Sequence, residues 1–317
     1  MTARGSALAV QVVGLDFQNP IVLAAGTAAY GRELAEVVDL HALGGLVTKA
    51  VSPQPRPGAP APRVAEFPGG MINAVGLANP GVDAVCREHL PWLARELPGV
   101  RKLANIVGFA IEEFGAVVEQ LDAAVATESA GALDGYELNV SCPNVKAGGM
   151  EFGADSAALA EVVRRARAAT RRPLFVKLSP TLPDIARSAA VAVDAGADAL
   201  TLVNTIPGLV IDVGRRRPAL GFGTGGVSGT ALLPVGVLAT WKVRRAVAVP
   251  LLGIGGVTSA EDALQYLVAG ASLVGIGTAM LRDPRAPERV VRGLARWCER
   301  NGVARLSDVV GSLKVSA

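Results

Sequence analysis

The chain has 317 residues and a net charge of +3; half of its residues are hydrophobic, 19% are charged and only 4% are aromatic. So small a charge, with no basic run longer than the three arginines at 215–217, argues against a nucleic-acid-binding protein. The three cysteines, Cys86, Cys142 and Cys298, are scattered and odd in number. They are too few for an iron–sulfur cluster held by this chain alone, and they favour a reducing cytoplasm over a disulfide framework.

We expect no membrane segment and no metal site. The first residues lack a signal-peptide pattern, and the uncharged stretch 263–281 is interrupted by Gly270, Gly275 and Gly277, so it divides into a helix end, a turn and a short strand. His41 and His89 have no metal-like partner nearby in sequence, and we interpret both as structural.

Eight short apolar segments recur along the chain and predict eight β-strands. They are IVLAAG from Ile21, GGLVTKAV from Gly44, KLANIVG from Lys102, YELNVSC from Tyr136, LFVKLSP from Leu174, ALTLVNT from Ala199, PLLGIGG from Pro250 and SLVGIGT from Ser272. Most are separated by segments with helical spacing, the clearest being DSAALAEVVRRARAAT, which Asp155 or Ser156 would cap.

This alternation predicts an α/β fold in which one (β/α)₈ barrel domain occupies residues 1–317. A doubly wound open sheet is the alternative, but eight regular units favour closure. The segment AVQVVGLDFQNP resembles a hairpin that closes the bottom of the barrel. Two loops, after strands two and six, are longer than a barrel requires, and long loops at this end commonly build active sites.

Polar residues collect at the carboxyl ends of the predicted strands, which share one face of a barrel. Burying lysines and asparagines in an apolar barrel mouth would cost free energy unless a polar ligand paired with them. They are Lys49, Asn105, Asn139, Lys177 and Asn204.

The last two strands end in glycine-rich turns, Gly255-Gly256 and Gly277-Thr278. This is the usual position of a phosphate site in barrels. A phosphate beside a flat heterocycle suggests flavin mononucleotide (FMN). GFGTGG at 221–226 formally matches a dinucleotide motif, but it follows no predicted strand, and we interpret it as a mobile loop.

Several motifs, in the same order and over nearly the whole chain, resemble the soluble class of dihydroorotate dehydrogenases. The motifs are MINAVGLANPG, ELNVSCPNVKAGGMEFG, VKLSP, LVNT, TGGVSG, GIGGV and GIGTAM. The cysteine loop with its NVKAGG continuation is most similar to the subtype that works with an electron-transfer subunit.

The resemblance implies oxidation of dihydroorotate to orotate, with Cys142 removing the C5 proton and the C6 hydride passing to flavin N5. A thiol with an unperturbed pKa of about 8.5 suits a base near neutrality. The implied substrate residues are Lys49, Asn73, Ala74, Val75, Gly76, Leu77, Asn139, Asn204 and Thr205. The implied FMN residues are Ala25, Gly26, Lys49, Ala50, Asn105, Asn139, Lys177, Val203, Gly229, Gly255, Gly256, Gly277 and Thr278. Ala25 replaces a serine common among relatives, so only a backbone contact would survive there.

The resemblance also implies a partner subunit that carries FAD and a [2Fe–2S] cluster and passes electrons to NAD⁺, with two barrels pairing inside a heterotetramer. The alternatives are a fumarate-reducing homodimer, a barrel that acts on uracil or on tRNA uridines, and a relay without catalysis. The arginines at 215–217 are interpreted as a solvated loop, with docking of an acidic partner as the alternative.

Overall fold

The computed structural model describes residues 7–141, 143–144 and 150–315 of the chain. Eight parallel strands close into a barrel, in which each strand pairs with its neighbours in chain order and the last pairs with the first. The strands are β1 Ile21–Leu23, β2 Gly45–Val51, β3 Arg101–Ile106, β4 Gly135–Asn139, β5 Leu174–Leu178, β6 Ala199–Leu202, β7 Leu251–Ile254 and β8 Leu273–Ile276. All eight strands predicted from the apolar segments are confirmed.

Helices surround this barrel. They are α1 Leu90–Glu96, α2 Ile111–Thr127, α3 Ser156–Ala169, α4 Ile185–Asp194, α5 Leu233–Arg244, α6 Ala260–Ala269, α7 Thr278–Arg282 and α8 Ala286–Asn301, with the turns Val82–Ala84 and Val85–His89 leading into α1. The predicted cap of α3 is confirmed, because the Asp155 carboxylate accepts a hydrogen bond from the Ala158 N–H. Between β1 and β2 the chain forms only turns and the short helix Leu40–Ala42.

Side chains along each strand point alternately out of and into the barrel, so the protein has two hydrophobic cores. Outward side chains pack against the helices in one large cluster, and inward side chains form a second cluster inside the barrel. The inward apolar residues include Val47, Leu103, Phe175 and Leu252. Each lies towards the amino end of its strand, so the lower half of the barrel is filled and apolar.

The predicted hairpin at the amino-terminal side is confirmed. Val10–Val12 pairs antiparallel with Leu15–Phe17, and Val12 and Phe17 join the inner cluster. The Arg101 guanidinium, at the start of β3, donates to the Asp16 carbonyl oxygen at 2.8 Å. The hairpin therefore closes the amino end of the barrel and leaves the carboxyl end as its mouth.

The two long loops contain β-strands that the sequence analysis did not predict. They meet in a four-stranded antiparallel sheet, the mouth sheet, ordered Ile206–Gly208, Gly225–Ser228, Gly70–Asn73 and Val64–Phe67. The glycine-rich segment 221–226, predicted to be a mobile loop, supplies the start of the second of these strands. Such pairing between segments about 150 residues apart leaves no local pattern in the sequence.

The stretch 263–281 divides as expected into the end of α6, strand β8 and helix α7. None of the helices in the described ranges has both the length and the apolar character needed to cross a bilayer.

Candidate active site

A β-bulge in β2 sets the position of Lys49. Val47 pairs with Leu103 and Ala50 with Asn105, so one extra residue of β2 lies between the two pairs. The Asn105 N–H is satisfied by the Thr48 hydroxyl at 3.2 Å, and the Lys49 N–H donates to the Ala29 carbonyl oxygen at 2.7 Å. Bulges commonly re-aim a side chain beside an active site. Lys49 is half-buried at the mouth as a result.

Asn105 makes a buried contact with a residue that the sequence interpretation missed. Its side-chain Nδ2 donates to Glu137 Oε1 at 2.8 Å, and each of the two residues is only 1% exposed. They are directly opposite each other on β3 and β4. The pair lies inside the barrel, above the apolar layer formed by Leu103 and Phe175.

Lys177 on β5 is a buried cation. It is 7% exposed, it lies beside Asn139 on one neighbouring strand and Thr201 on the other, and it has no hydrogen-bond or ion-pair partner among the described residues. The fully buried Thr201 hydroxyl also lacks a partner there. Buried polar groups are normally paired, so this part of the mouth fits a ligand with polar edges.

Two amides join the ends of β4 and β6. Asn204 Nδ2 donates to Asn139 Oδ1 at 3.2 Å, and Asn204 Oδ1 accepts from the Thr205 N–H at 2.8 Å. Thr205 also touches the mouth sheet, because a Cβ added at Gly226 would lie 2.1 Å from its hydroxyl oxygen. Only glycine fits at position 226.

The segment expected to bind the substrate, which contains Asn73, Ala74, Val75, Gly76 and Leu77, begins in the mouth sheet. Asn73 Nδ2 donates to the Gly226 carbonyl oxygen at 3.2 Å, the Ala74 N–H donates to the Arg63 carbonyl oxygen, and the Val75 carbonyl oxygen accepts from Ala59.

This segment is held in an unusual conformation at its far end. Leu77 has a φ of 56°, which costs energy for a branched side chain. The Asn79 amide holds this turn, because Nδ2 donates to the Leu77 carbonyl oxygen and Oδ1 accepts from the N–H groups of Ser52 and Gly81. The segment is therefore anchored by both loops and by the end of β2.

The glycine-rich ends of β7 and β8 adjoin the mouth sheet. Gly255 and Gly256 have φ values of 123° and 76°, which favour glycine, and a Cβ at Gly256 would lie 2.5 Å from the Leu233 nitrogen. After Gly277, the Thr278 hydroxyl donates to the Ser228 hydroxyl oxygen at 2.8 Å. Gly229 follows Ser228 directly. Close packing and positive φ values therefore require glycine at these turns. Glycine-rich turns that lead into helices are a type of backbone that can bind phosphate.

The remaining expected cofactor positions line the same end of the barrel. Ala25 packs against the inner cluster just after β1, and Gly26 follows it with a φ of 83°. Ala50 is buried in β2, and the Val203 N–H donates to the Ile254 carbonyl oxygen at the end of β6.

Cys142 lies outside the described residues. Next to it in the chain, Pro143–Asn144 pairs antiparallel with Met150–Glu151. Burial raises the pKa of the half-buried Glu151 carboxyl, and a hydrogen bond with Ser179, just after β5, partly opposes that rise.

Sequence reasoning missed three polar groups beside the expected site: Thr48, Glu137 and Thr201. One signal was available for Glu137, because the two-residue period of a strand puts it on the same face as Asn139. No comparable signal existed for Thr48, whose role depends on the bulge. The fold and the mouth together define a (β/α)₈-barrel protein with polar side chains gathered at the carboxyl ends of its strands.

Comparison with known proteins gives the family. A profile described as dihydroorotate dehydrogenase matches residues 7–297. Two relatives are named dihydroorotate dehydrogenase B (NAD(+)), catalytic subunit. The one from Pelobacter propionicus is 47% identical over 97% of this chain and 98% of its own length, and the one from Geotalea daltonii is 44% identical over the same shares. A relative from Solibacter usitatus, named for the A (fumarate) type, is 47% identical over 97% of this chain and 98% of its own length.

The chain therefore belongs to the dihydroorotate dehydrogenase family, as its motifs suggested. This is a family of oxidoreductases, and membership implies a flavin cofactor. The residues at the mouth fit such a cofactor, because Lys177 and Thr201 are buried without partners in the described part of the chain and glycine turns follow β7 and β8.

Proposed function

We propose that this protein oxidises dihydroorotate to orotate, with FMN bound in the barrel mouth, as a step of pyrimidine synthesis. The observation that carries the proposal, beyond family membership, is Lys177. A lysine that is 7% exposed, with no partner among the described residues, is matched to an anionic or carbonyl-rich ligand edge.

Bound FMN would supply an acceptor for the hydride that leaves the substrate. Lys177 would lie near the edge of the flavin that becomes negative on reduction, and Asn105 and Lys49 would contact the ring. The turns at Gly229, Gly255, Gly256, Gly277 and Thr278 would hold the phosphate. Ala25, Gly26, Ala50 and Val203 would offer backbone contacts.

The substrate would lie against the 73–77 segment and the amides of Asn139 and Asn204, with Thr205 beside them. Dihydroorotate carries ring amides and a carboxylate, so amide side chains and Lys49 are complementary to it. The contacts that anchor 73–77 support this role, since a preorganised binding segment pays less entropy when ligand binds.

Cys142 is proposed as the base that takes the C5 proton. It lies three residues after Asn139 at the end of β4, where barrel enzymes commonly carry catalytic groups. The supporting argument is the resemblance of the SCPN motif and the suitability of a thiol as a base near neutrality.

We further propose that the electrons leave to a partner subunit carrying FAD and a [2Fe–2S] cluster, and from there to NAD⁺. Two of the relatives described above are named catalytic subunits of the NAD(+) type. A hairpin next to the mouth sheet, Ile211–Asp212 with Arg217–Pro218, exposes Val213 together with Arg215 and Arg216. An apolar and basic surface there suits an acidic partner. Fumarate reduction without a partner is the second candidate, which the relative named for the A type favours.

The test is the absorption spectrum of the purified protein before and after anaerobic addition of dihydroorotate. We expect a flavin spectrum that bleaches on the timescale that a stopped-flow instrument resolves, and no bleaching with dihydrouracil. Protein without flavin, or bleaching by dihydrouracil alone, would refute the proposal. A parallel assay with tRNA as substrate tests the alternative that the protein acts on tRNA uridines.

A further inference from the structure

A carboxyl group is buried inside the barrel, one layer below the polar residues of the mouth. Glu137 precedes Asn139 by two residues on β4, so both face inward, and Glu137 is 1% exposed. Its side chain makes one hydrogen bond among the described residues, with Asn105 Nδ2 at 2.8 Å, and it has no ion-pair partner there.

A carboxyl group at this position destabilises the folded protein relative to an apolar residue. The neighbouring inward residues Leu103 and Phe175 are apolar, and a leucine at 137 would extend their layer. Burying a carboxyl group with a single hydrogen bond costs free energy that an apolar residue would not. This cost indicates that the contact between Glu137 and Asn105 has a role.

The chemistry of the pair fixes the direction of one amide. Because Asn105 Nδ2 donates to Glu137 Oε1, Asn105 turns its NH₂ group towards Glu137 and directs its carbonyl oxygen elsewhere. The backbone of Asn105 is fixed as well, because its N–H donates to the Thr48 hydroxyl at the bulge. The same hydroxyl donates to the Lys49 carbonyl oxygen at 2.9 Å. One hydrogen-bonded chain thus runs from Glu137 to the two cofactor residues Asn105 and Lys49.

We propose that Glu137 is a positioning residue that fixes which end of the Asn105 amide faces the cofactor. This inference rests on the proposed function, since it takes FMN as the ligand of Asn105. Without Glu137 the amide would be free to rotate by 180° and to present a donor where the cofactor meets an acceptor, or the reverse. Such a mismatch lowers affinity without removing any residue that touches the ligand.

The experiment measures FMN binding to the apoprotein by quenching of flavin fluorescence. In Glu137→Leu we expect the dissociation constant of FMN to rise about tenfold, the effect of one lost or misdirected hydrogen bond. Glu137→Gln keeps an acceptor for Asn105 Nδ2 and should stay within about threefold of the wild type. Tyr136→Phe is the matched control, because it removes a partly buried hydrogen bond, to Asp122 at 2.8 Å, from the opposite face of the same strand. It should lower the melting temperature and leave FMN affinity unchanged.

A reversal of polarity tests the same idea without emptying the position. Asn105→Asp puts a carboxylate against Glu137 and should bind FMN far more weakly than the wild type. The double variant Asn105→Asp with Glu137→Gln restores a donor opposite an acceptor. Its affinity for FMN should be at least tenfold higher than that of Asn105→Asp alone. If Glu137→Leu does not fold, this comparison decides alone.

Unchanged FMN affinity in Glu137→Leu, or no recovery in the double variant, would overturn the positioning role. Failure of the wild-type apoprotein to bind FMN would instead overturn the proposed function.

Discussion

Asn204 and Asn139 are hydrogen-bonded across the mouth of the barrel at 3.2 Å, although their strands β6 and β4 are not neighbours. The bond spans the end of β5, the strand that carries Lys177. Because Asn204 also accepts from the Thr205 N–H, the two amides have fixed orientations. Three residues expected to bind the substrate are thereby held in fixed positions relative to one another.

This arrangement predicts that the two amides act together. Asn139→Ala and Asn204→Ala should each weaken orotate binding, and the double variant should lose less than the sum, with a coupling energy of about 1 kcal/mol. Calorimetric titration with orotate of the four proteins in this cycle measures that coupling. Strict additivity would show that the Asn139–Asn204 hydrogen bond has no part in recognition.

For the proposed base, Cys142→Ala should retain bound flavin but reduce the rate of anaerobic flavin reduction by dihydroorotate by about 10²–10⁴-fold. Cys142→Ser should keep a little activity, displaced to higher pH, because a hydroxyl is a weaker acid than a thiol. Stopped-flow single turnovers between pH 6 and 10 give both results. Cys298→Ala, in the outer core, is the control. Reduction of the Cys142→Ala flavin by dihydroorotate at the wild-type rate would refute Cys142 as the base.

Removal of the buried charge at Lys177 should destabilise the reduced flavin. Lys177→Met should lower the midpoint potential of bound FMN or abolish FMN binding, because a nearby cation favours the anionic reduced form. Lys102→Met is the matched control. Lys102 is also buried, but it donates to the Leu97 carbonyl oxygen near the amino end of the barrel. Redox titration should show a lowered potential in the first variant only, and equal potentials in all three proteins would contradict the role.

His89 should make stability depend on pH. Its ring stacks on Tyr30 with centroids 4.1 Å apart, and burial lowers the pKa of His89, with Glu33 opposing the effect. The unfolded chain therefore binds the proton more readily than the folded protein. The contribution of His89 is fully present above the unfolded pKa of about 6.5 and is lost as pH falls towards the folded value.

His89→Phe keeps a ring on Tyr30 and removes this titration. Its free energy of unfolding should fall less than that of the wild type between pH 7.5 and 5.5, as measured by urea denaturation. His41→Gln, at an exposed position, should follow the wild type. If the free energy of unfolding of His89→Phe fell as much with pH as that of the wild type, the prediction would be contradicted.

The electron acceptor can be tested with the purified chain. It should oxidise dihydroorotate with an artificial dye and reduce NAD⁺ poorly until the FAD/iron–sulfur subunit is added. The double variant Arg215→Glu with Arg216→Glu should then reduce NAD⁺ more slowly in the presence of the subunit, and the loss should be larger at low salt than at high salt. Its rate of dihydroorotate oxidation with the dye should be unchanged. Fast turnover with fumarate, or with NAD⁺ alone, would refute the partner proposal.

Local patterns in the sequence determined most of the barrel. The eight strands, the hairpin and the cap of α3 were predicted because alternation, apolar runs and a capping aspartate are short-range signals. The positions of Lys49, Asn105, Asn139, Lys177 and Asn204 at one end also followed, since parallel strands of a barrel share a direction.

The tertiary structure determined which residues pair with one another at the carboxyl end of the barrel. The mouth sheet joins segments about 150 residues apart, the bulge at Thr48 is visible only against the register of β3, and Glu137 has a role only because Asn105 lies opposite it. Each of these depends on contacts between distant parts of the chain. Their free energy comes from hydrogen bonds and burial that form only when the barrel closes, so no window of neighbouring residues contains the information.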